Sequence, residues 1–128
     1  MILFCNLIIL LQGNAMGQPD SFSVMFYNVE NLFDTIDSPL NDDEFLPSGT
    51  RRWGSWRYWT KLNSIYKVIV SGNEWSIPGI IGLCEVENQA VVNDLIRNTY
   101  LSRHPYKAVY AGGKDERGIG VAILADTS

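Results

Sequence analysis

Apolar and polar positions fall into blocks along this chain, and the blocks differ in period. Residues 22–29, Phe-Ser-Val-Met-Phe-Tyr-Asn-Val, are dense in aromatic and β-branched side chains and predict a strand. Further on, Trp59, Leu62, Tyr66 and Ile69 recur at helical spacing, with Ile65 filling the same stripe. An amphipathic helix is therefore expected over 55–71, capped by Ser55, ended at Gly72, and with Trp59 in the core. Pro78-Gly79 then turns the chain into the apolar run Ile80–Val86, which reads as a strand buried on both faces. Strand, helix and strand in that order form a crossover unit, which gives parallel neighbours whose C-terminal ends share one edge of the sheet. Residues 89–100 predict a second helix, with Val91, Leu95 and Ile96 apolar and Asn88 as its cap. Tyr106–Tyr110 and Gly118–Leu124 predict strands joined by a hairpin-like turn. The fold class expected from this pattern is α/β, in one domain.

The first block is of another kind. Ile2 to Leu11 form an apolar run interrupted only by Asn6, and small residues follow at Gly13, Ala15 and Gly17. This predicts an export signal over residues 1–17, cleaved before Gln18, although no Lys or Arg precedes the run. The run is too short to span a bilayer comfortably, so no stable membrane insertion is expected. The protein is expected to be exported, periplasmic or secreted. Removing 1–17 leaves Cys84 as the only cysteine, so no intramolecular disulfide is available to the remainder. Inside an apolar strand, Cys84 reads as a small buried hydrophobe.

Charge narrows the chemistry. The 128 residues carry a formal net charge of −4, which argues against a protein that grips nucleic acid through a broad basic surface. It leaves room for an enzyme that holds a phosphate through a metal. Residues 34–50 read as a solvated acidic loop, and their spacing does not match an EF-hand. Gly112-Gly113-Lys114 lacks the glycine spacing and the following Ser or Thr of a phosphate-binding loop. His104, in Arg-His-Pro-Tyr, reads as a surface loop residue. The run Arg51–Lys61 interleaves bases and aromatics, which can form a nucleic-acid platform, but helical spacing gives its later residues the plainer role of packing; Arg51, Arg52 and Trp53 precede the helix and their role stays open.

Two strand ends hold the candidate chemistry. Glu85 follows a buried apolar run, at the place where open α/β sheets bind ligands. It is either a metal ligand or acid/base group, or simply the point at which the chain returns to solvent with Glu87. Asn28, Glu30 and Asn31 cluster at the end of the first strand and offer oxygen donors of the type hard cations use. Asn28 could equally end its strand by local hydrogen bonding. If the two strands are neighbours and parallel, Asn28 and Glu85 meet.

Tyr27-Asn28-Val29-Glu30-Asn31-Leu32-Phe33, Leu83-Cys84-Glu85-Val86-Glu87-Asn88 and Asp115-Glu116-Arg117-Gly118-Ile119-Gly120-Val121-Ala122 together resemble the endonuclease/exonuclease/phosphatase superfamily, over essentially all of 22–125 and in the same order. The resemblance implies a four-layer α/β/β/α sandwich, with two sheets face to face and helices outside. It implies hydrolysis of phosphoester bonds with magnesium or manganese, with DNA or RNA among the substrates and a nuclease favoured. By position it makes Glu85 the metal-binding glutamate, puts Asn28 beside the metal, and gives Glu30 a weaker place as a second acidic group. It also implies a Gly-Asp-x-Asn segment and a terminal Ser-Asp-His segment, neither of which occurs before Ser128. Residues 18–128 are accordingly expected to be the N-terminal part of one such domain, inactive alone and with an inner sheet face uncovered. The alternative is a non-catalytic remnant or interaction module.

Overall fold

The computed structural model describes residues 9–13 and 22–128. They form one five-stranded sheet with two helices. The strands are β1 (Ile9–Gly13), β2 (Phe22–Leu32), β3 (Ile80–Val86), β4 (Tyr106–Ala111) and β5 (Gly120–Asp126), in the order β1-β2-β3-β5-β4. The helices are α1 (Ser55–Gly72) and α2 (Gln89–Arg97). β2 and β3 are parallel neighbours, as a strand-helix-strand crossover requires, and the other pairs are antiparallel. Of the expected export segment, Ile9–Gly13 forms the edge strand along β2, while residues 1–8 and 14–17 lie outside the described residues. Among the described residues no helix is long and apolar enough to cross a membrane.

Both helices cover the same face of the sheet. Met25 and Val29 from β2, Ile81 and Leu83 from β3, and Ala122 and Leu124 from β5 are closed against Leu62, Ile65 and Ile69 of α1 and Val91, Val92 and Leu95 of α2. Every one of these positions follows from side-chain alternation along a strand or from helical period. Asn88 caps α2, accepting from the Val91 amide through its side chain. Arg97 closes α2 earlier than expected, and a short 3-10 turn at Tyr100–Arg103 follows, opened by Thr99.

Four expectations need correction. Ser55 does not cap α1: Gly54 is the cap residue, without a side-chain bond, and Ser55 already lies in the helix. The buried stripe of α1 begins at Tyr58, whose hydroxyl donates to Asp94 of α2 at 2.8 Å, while Trp59 is exposed. Tyr58 shares helical spacing with Leu62, Ile65 and Ile69, and there both its ring and its hydroxyl are satisfied. The acidic loop is not solvated throughout. Phe45 stacks on Phe33 at 4.0 Å between ring centroids, Trp53 closes on them edge-on, and Asp42 is buried beside them. Lastly, β3 is closed on one face only.

That other face follows the same alternation. Phe26, Val121, Ile123 and Val109 lie on it and are exposed. Phe26 lies flat over Gly82, where an added Cβ would come within 2.7 Å of the ring, so a side chain at 82 would lift Phe26 off the sheet. Sheet and helices thus make two layers of the four that the resemblance implies.

The asymmetry has a measurable consequence. Leu83→Ala should cost about 2–5 kcal/mol in urea unfolding, as a large-to-small change in a closed core does. Ile123→Thr on the open face should change stability by no more than about 0.5 kcal/mol, as surface substitutions do, while reducing self-association in light scattering. A large loss for Ile123→Thr would mean that this face is covered.

Candidate functional site

The parallel register of β2 and β3 runs regularly to Asn28 opposite Cys84 and then breaks. It resumes at Leu32 opposite Val86, so Val29, Glu30 and Asn31 stand against Glu85 alone. On its other side β3 also slips against β5, from Cys84–Val121 to Val86–Gly120, which leaves Glu85 unpaired there too. Glu85 is therefore the extra residue of β3 toward β5, and toward β2 it stands opposite a three-residue bulge of that strand. Its backbone is left-handed, with φ of 63°, as are those of Glu30 (54°) and Asn31 (62°). Such a conformation costs roughly 1–2 kcal/mol for a non-glycine residue and tends to gather at functional sites.

Side-chain bonds hold the bulge. Asn28 Nδ2 donates to Glu85 Oε1 at 2.9 Å, and the Asn31 amide donates to Glu85 Oε2 at 3.1 Å. The Asn28 side-chain oxygen Oδ1 accepts from the Glu30 amide at 2.8 Å, so Asn28 both ends its strand locally and reaches across to Glu85. Arg117 Nη1 donates to Asn31 Oδ1 at 2.9 Å while its remaining nitrogens grip Asp115. Lys61, from the first half of α1, donates to the Glu30 carbonyl at 3.2 Å. Burial pulls the Lys61 ammonium below its usual range, and the Glu30 and Glu85 charges act in the opposite direction.

These residues open on one cavity of about 790 Å³. Asn28, Glu30, Asn31 and Glu85 line it together with Arg51, Arg52, Arg57, Lys61 and Arg117, so basic side chains outnumber carboxylates. In a chain of net charge −4 that concentration is local, not a property of the whole surface. Trp53 shares the wall, its indole N–H held by the Phe33 carbonyl at 2.9 Å. Arg57 and Lys61 are one helical turn apart and both reach the cavity. The sequence reading took both within the interleaved run Arg51–Lys61 and assigned that stretch to helix packing, without singling out their i, i+4 spacing. Arg117 was quoted only within a motif; its part in the site comes from an 86-residue separation that no local pattern reveals.

Other candidates lie elsewhere. Glu87 faces the β2–α1 loop, where its carboxylate accepts from the Asp34 amide at 2.7 Å. His104 stands 3.9 Å from Asp126 and does not line the cavity. Cys84 is half-buried, and burial together with the Glu85 charge pushes its thiol up, away from nucleophilic use.

A family model described as the endonuclease/exonuclease/phosphatase family matches residues 23–128. The chain belongs to that family. No curated protein and no solved structure matches it. Endonuclease/exonuclease/phosphatase proteins hydrolyse phosphoester bonds and generally use divalent metals. The matched segment takes in every residue of the cavity described above.

The buried acid of this region gives a pH dependence with a definite sign. Burial, reinforced by the Asp34 and Asp42 charges and opposed by the Asp34 hydrogen bond, pushes the Glu87 carboxyl from 4.5 up to about 7. Between those values the native state holds a proton that the unfolded chain releases. Stability should therefore fall as pH rises from about 4.5 through about 7. Glu87→Gln keeps an oxygen for the Asp34 amide and should flatten that part of the Tm–pH profile. Identical slopes in the two proteins over pH 5–8 would contradict this.

Proposed function

We propose that this chain supplies the metal-holding side of a divalent-metal-dependent phosphodiesterase, with Mg2+ or Mn2+ as the ion and nucleic acid as the favoured substrate. The observation that carries the reading is the orientation of Glu85 where the register breaks toward both of its neighbours. Each of its oxygens accepts one N–H from β2, and the carboxylate lines an open cavity rather than the packed core. Carboxylate oxygens retain acceptor capacity beyond one bond each. With Glu30 and the Asn28 amide in the same wall, the donor set is all oxygen, which suits a hard cation and disfavours a thiolate- or imidazole-preferring one.

In this reading Glu85 is the principal ligand, and Glu30 a second carboxylate near it. Asn28 holds the Glu85 carboxylate in place, with its own side-chain oxygen engaged by the Glu30 amide. The ion, when bound, supplies Lewis-acid stabilisation of charge on the phosphoryl oxygens. Lys61 and Arg117 brace the bulge from either side and present positive charge to an anion in the cavity. Arg52 and Arg57 lie farther along the basic wall and suit a neighbouring phosphate, which favours a phosphodiester strand over a small monoester.

Export from the cytoplasm belongs to the same reading, supported by the apolar segment with small residues at Ala15 and Gly17.

Activity is tested with supercoiled plasmid and a chromogenic phosphodiester as substrates. Turnover should need Mg2+ or Mn2+ and stop with EDTA. Glu85→Gln should lower kcat/KM by roughly 100-fold or more, the scale of losing a charge-stabilising group, with the circular dichroism spectrum unchanged. Full activity in EDTA, or in the Glu85→Gln protein, would contradict the assignment.

A further inference from the structure

The loop between β2 and α1 carries three carboxylates that the reading of Glu85 does not use. Ligand oxygens of Asp37, Asp42 and Asp43 all lie within 4.8 Å of one another. Asp37 and Asp43 are exposed, but Asp42 is 2% exposed. Its Oδ1 is shut off from solvent and has no hydrogen-bond partner among the described residues, while Oδ2 accepts only the Ser38 amide, at 3.3 Å. A buried carboxylate oxygen left without a donor costs more than almost any other polar defect. Here the defect coincides with two more negative groups converging on the same spot. The ion pairs Arg51–Glu44, His104–Asp126 and Arg117–Asp115 involve none of these three carboxylates.

The loop is also held in shape. The Asn41 amide donates to the Glu116 carbonyl, the Phe45 amide to the Asp42 carbonyl, and the Arg51 amide to the Glu44 carbonyl. Leu40 packs onto Gly118, where φ is 84° and an added Cβ would come within 2.4 Å of the leucine. These bonds hold the backbone around Asp42 and Asp43, and Asp42 itself is buried in place.

We propose that Asp37, Asp42 and Asp43 hold a structural cation of the calcium class. Oxygen donors alone indicate a hard ion. Three protein carboxylates on one short loop suit calcium, which takes many protein oxygens in a flexible geometry, better than magnesium, which keeps several waters and binds through one or two carboxylates. The bound cation satisfies the orphaned Asp42 oxygen and ties the loop that continues through Phe45 into Thr50–Trp53, the wall of the basic cavity. Its role is to fix that wall, and it is separate from the Glu85 site.

Calorimetric titration of CaCl2 into the full chain tests this, with each variant made in a Glu85→Gln background so that the loop site is read alone. The background protein should bind Ca2+ saturably and gain several degrees in Tm. Asp37→Asn with Asp43→Asn, both exposed positions, should weaken binding roughly tenfold or more, because ligand charge sets calcium affinity, and should abolish the gain in Tm. Asp42→Asn should do the same, with Tm in EDTA reporting that it folds. The proposal is overturned if Glu85→Gln alone removes Ca2+ binding, if the Asp37/Asp43 variant binds as its parent does, or if millimolar Ca2+ produces neither heat nor a Tm shift. None of these outcomes depends on activity at Glu85.

Discussion

The pair of hydrogen bonds from β2 to the Glu85 carboxylate is the constraint on which the site depends. Asn28 and Asn31 each spend one N–H on it, and the register of β2 against β3 breaks to allow them to do so. A regular ladder would continue past Cys84 and leave the next side chain pointing to one face of the sheet or the other. The bulge instead turns Glu85 out of the pleat, with three left-handed non-glycine residues in close company. Backbone strain of this kind persists only when surrounding bonds over-determine it. Here they come from Arg117 on one side, Lys61 on the other, and the sheet ladder itself, which resumes at Leu32 with Val86.

The topology makes that arrangement possible. A crossover through α1 places two C-terminal strand ends side by side, so residues 57 positions apart in sequence share a hydrogen bond. The same crossover starts α1 beside the site, and its first turns deliver Arg57 and Lys61 to the cavity. Core and site are thus divided along each strand. Met25, Ile81 and Leu83 pack under the helices, and the residues just beyond them carry the chemistry.

Much of this was legible because burial writes a period into the chain. Ile80–Val86 emerged at the expected bounds, the parallel pairing followed from the crossover, and Asn88 capped α2. What escaped reading has physical causes too. Trp59 and Tyr58 are adjacent, aromatic and both compatible with a helical stripe through Leu62 and Ile69, and the buried one is Tyr58, whose hydroxyl reaches Asp94. Left-handed Glu30 and Glu85 have no composition signal, since glutamate does not favour that conformation. The β2–α1 loop looked acidic and open because its small core of Phe33, Phe45 and Trp53 joins residues without any repeating interval. Arg51 and Arg52 could be named from the sequence but not placed; only that folded loop brings them to the cavity.

The central claim is that the bulge exists to present the Glu85 carboxylate to a metal ion. An anomalous-difference map from crystals of this protein grown with Mn2+ tests it most directly. A peak is expected in the cavity within coordination distance of Glu85, present in the wild-type protein and lost in Glu85→Gln. A Mn2+ peak that leaves Glu85 bonded only to Asn28 and Asn31, or one that persists unchanged in the variant, would contradict it.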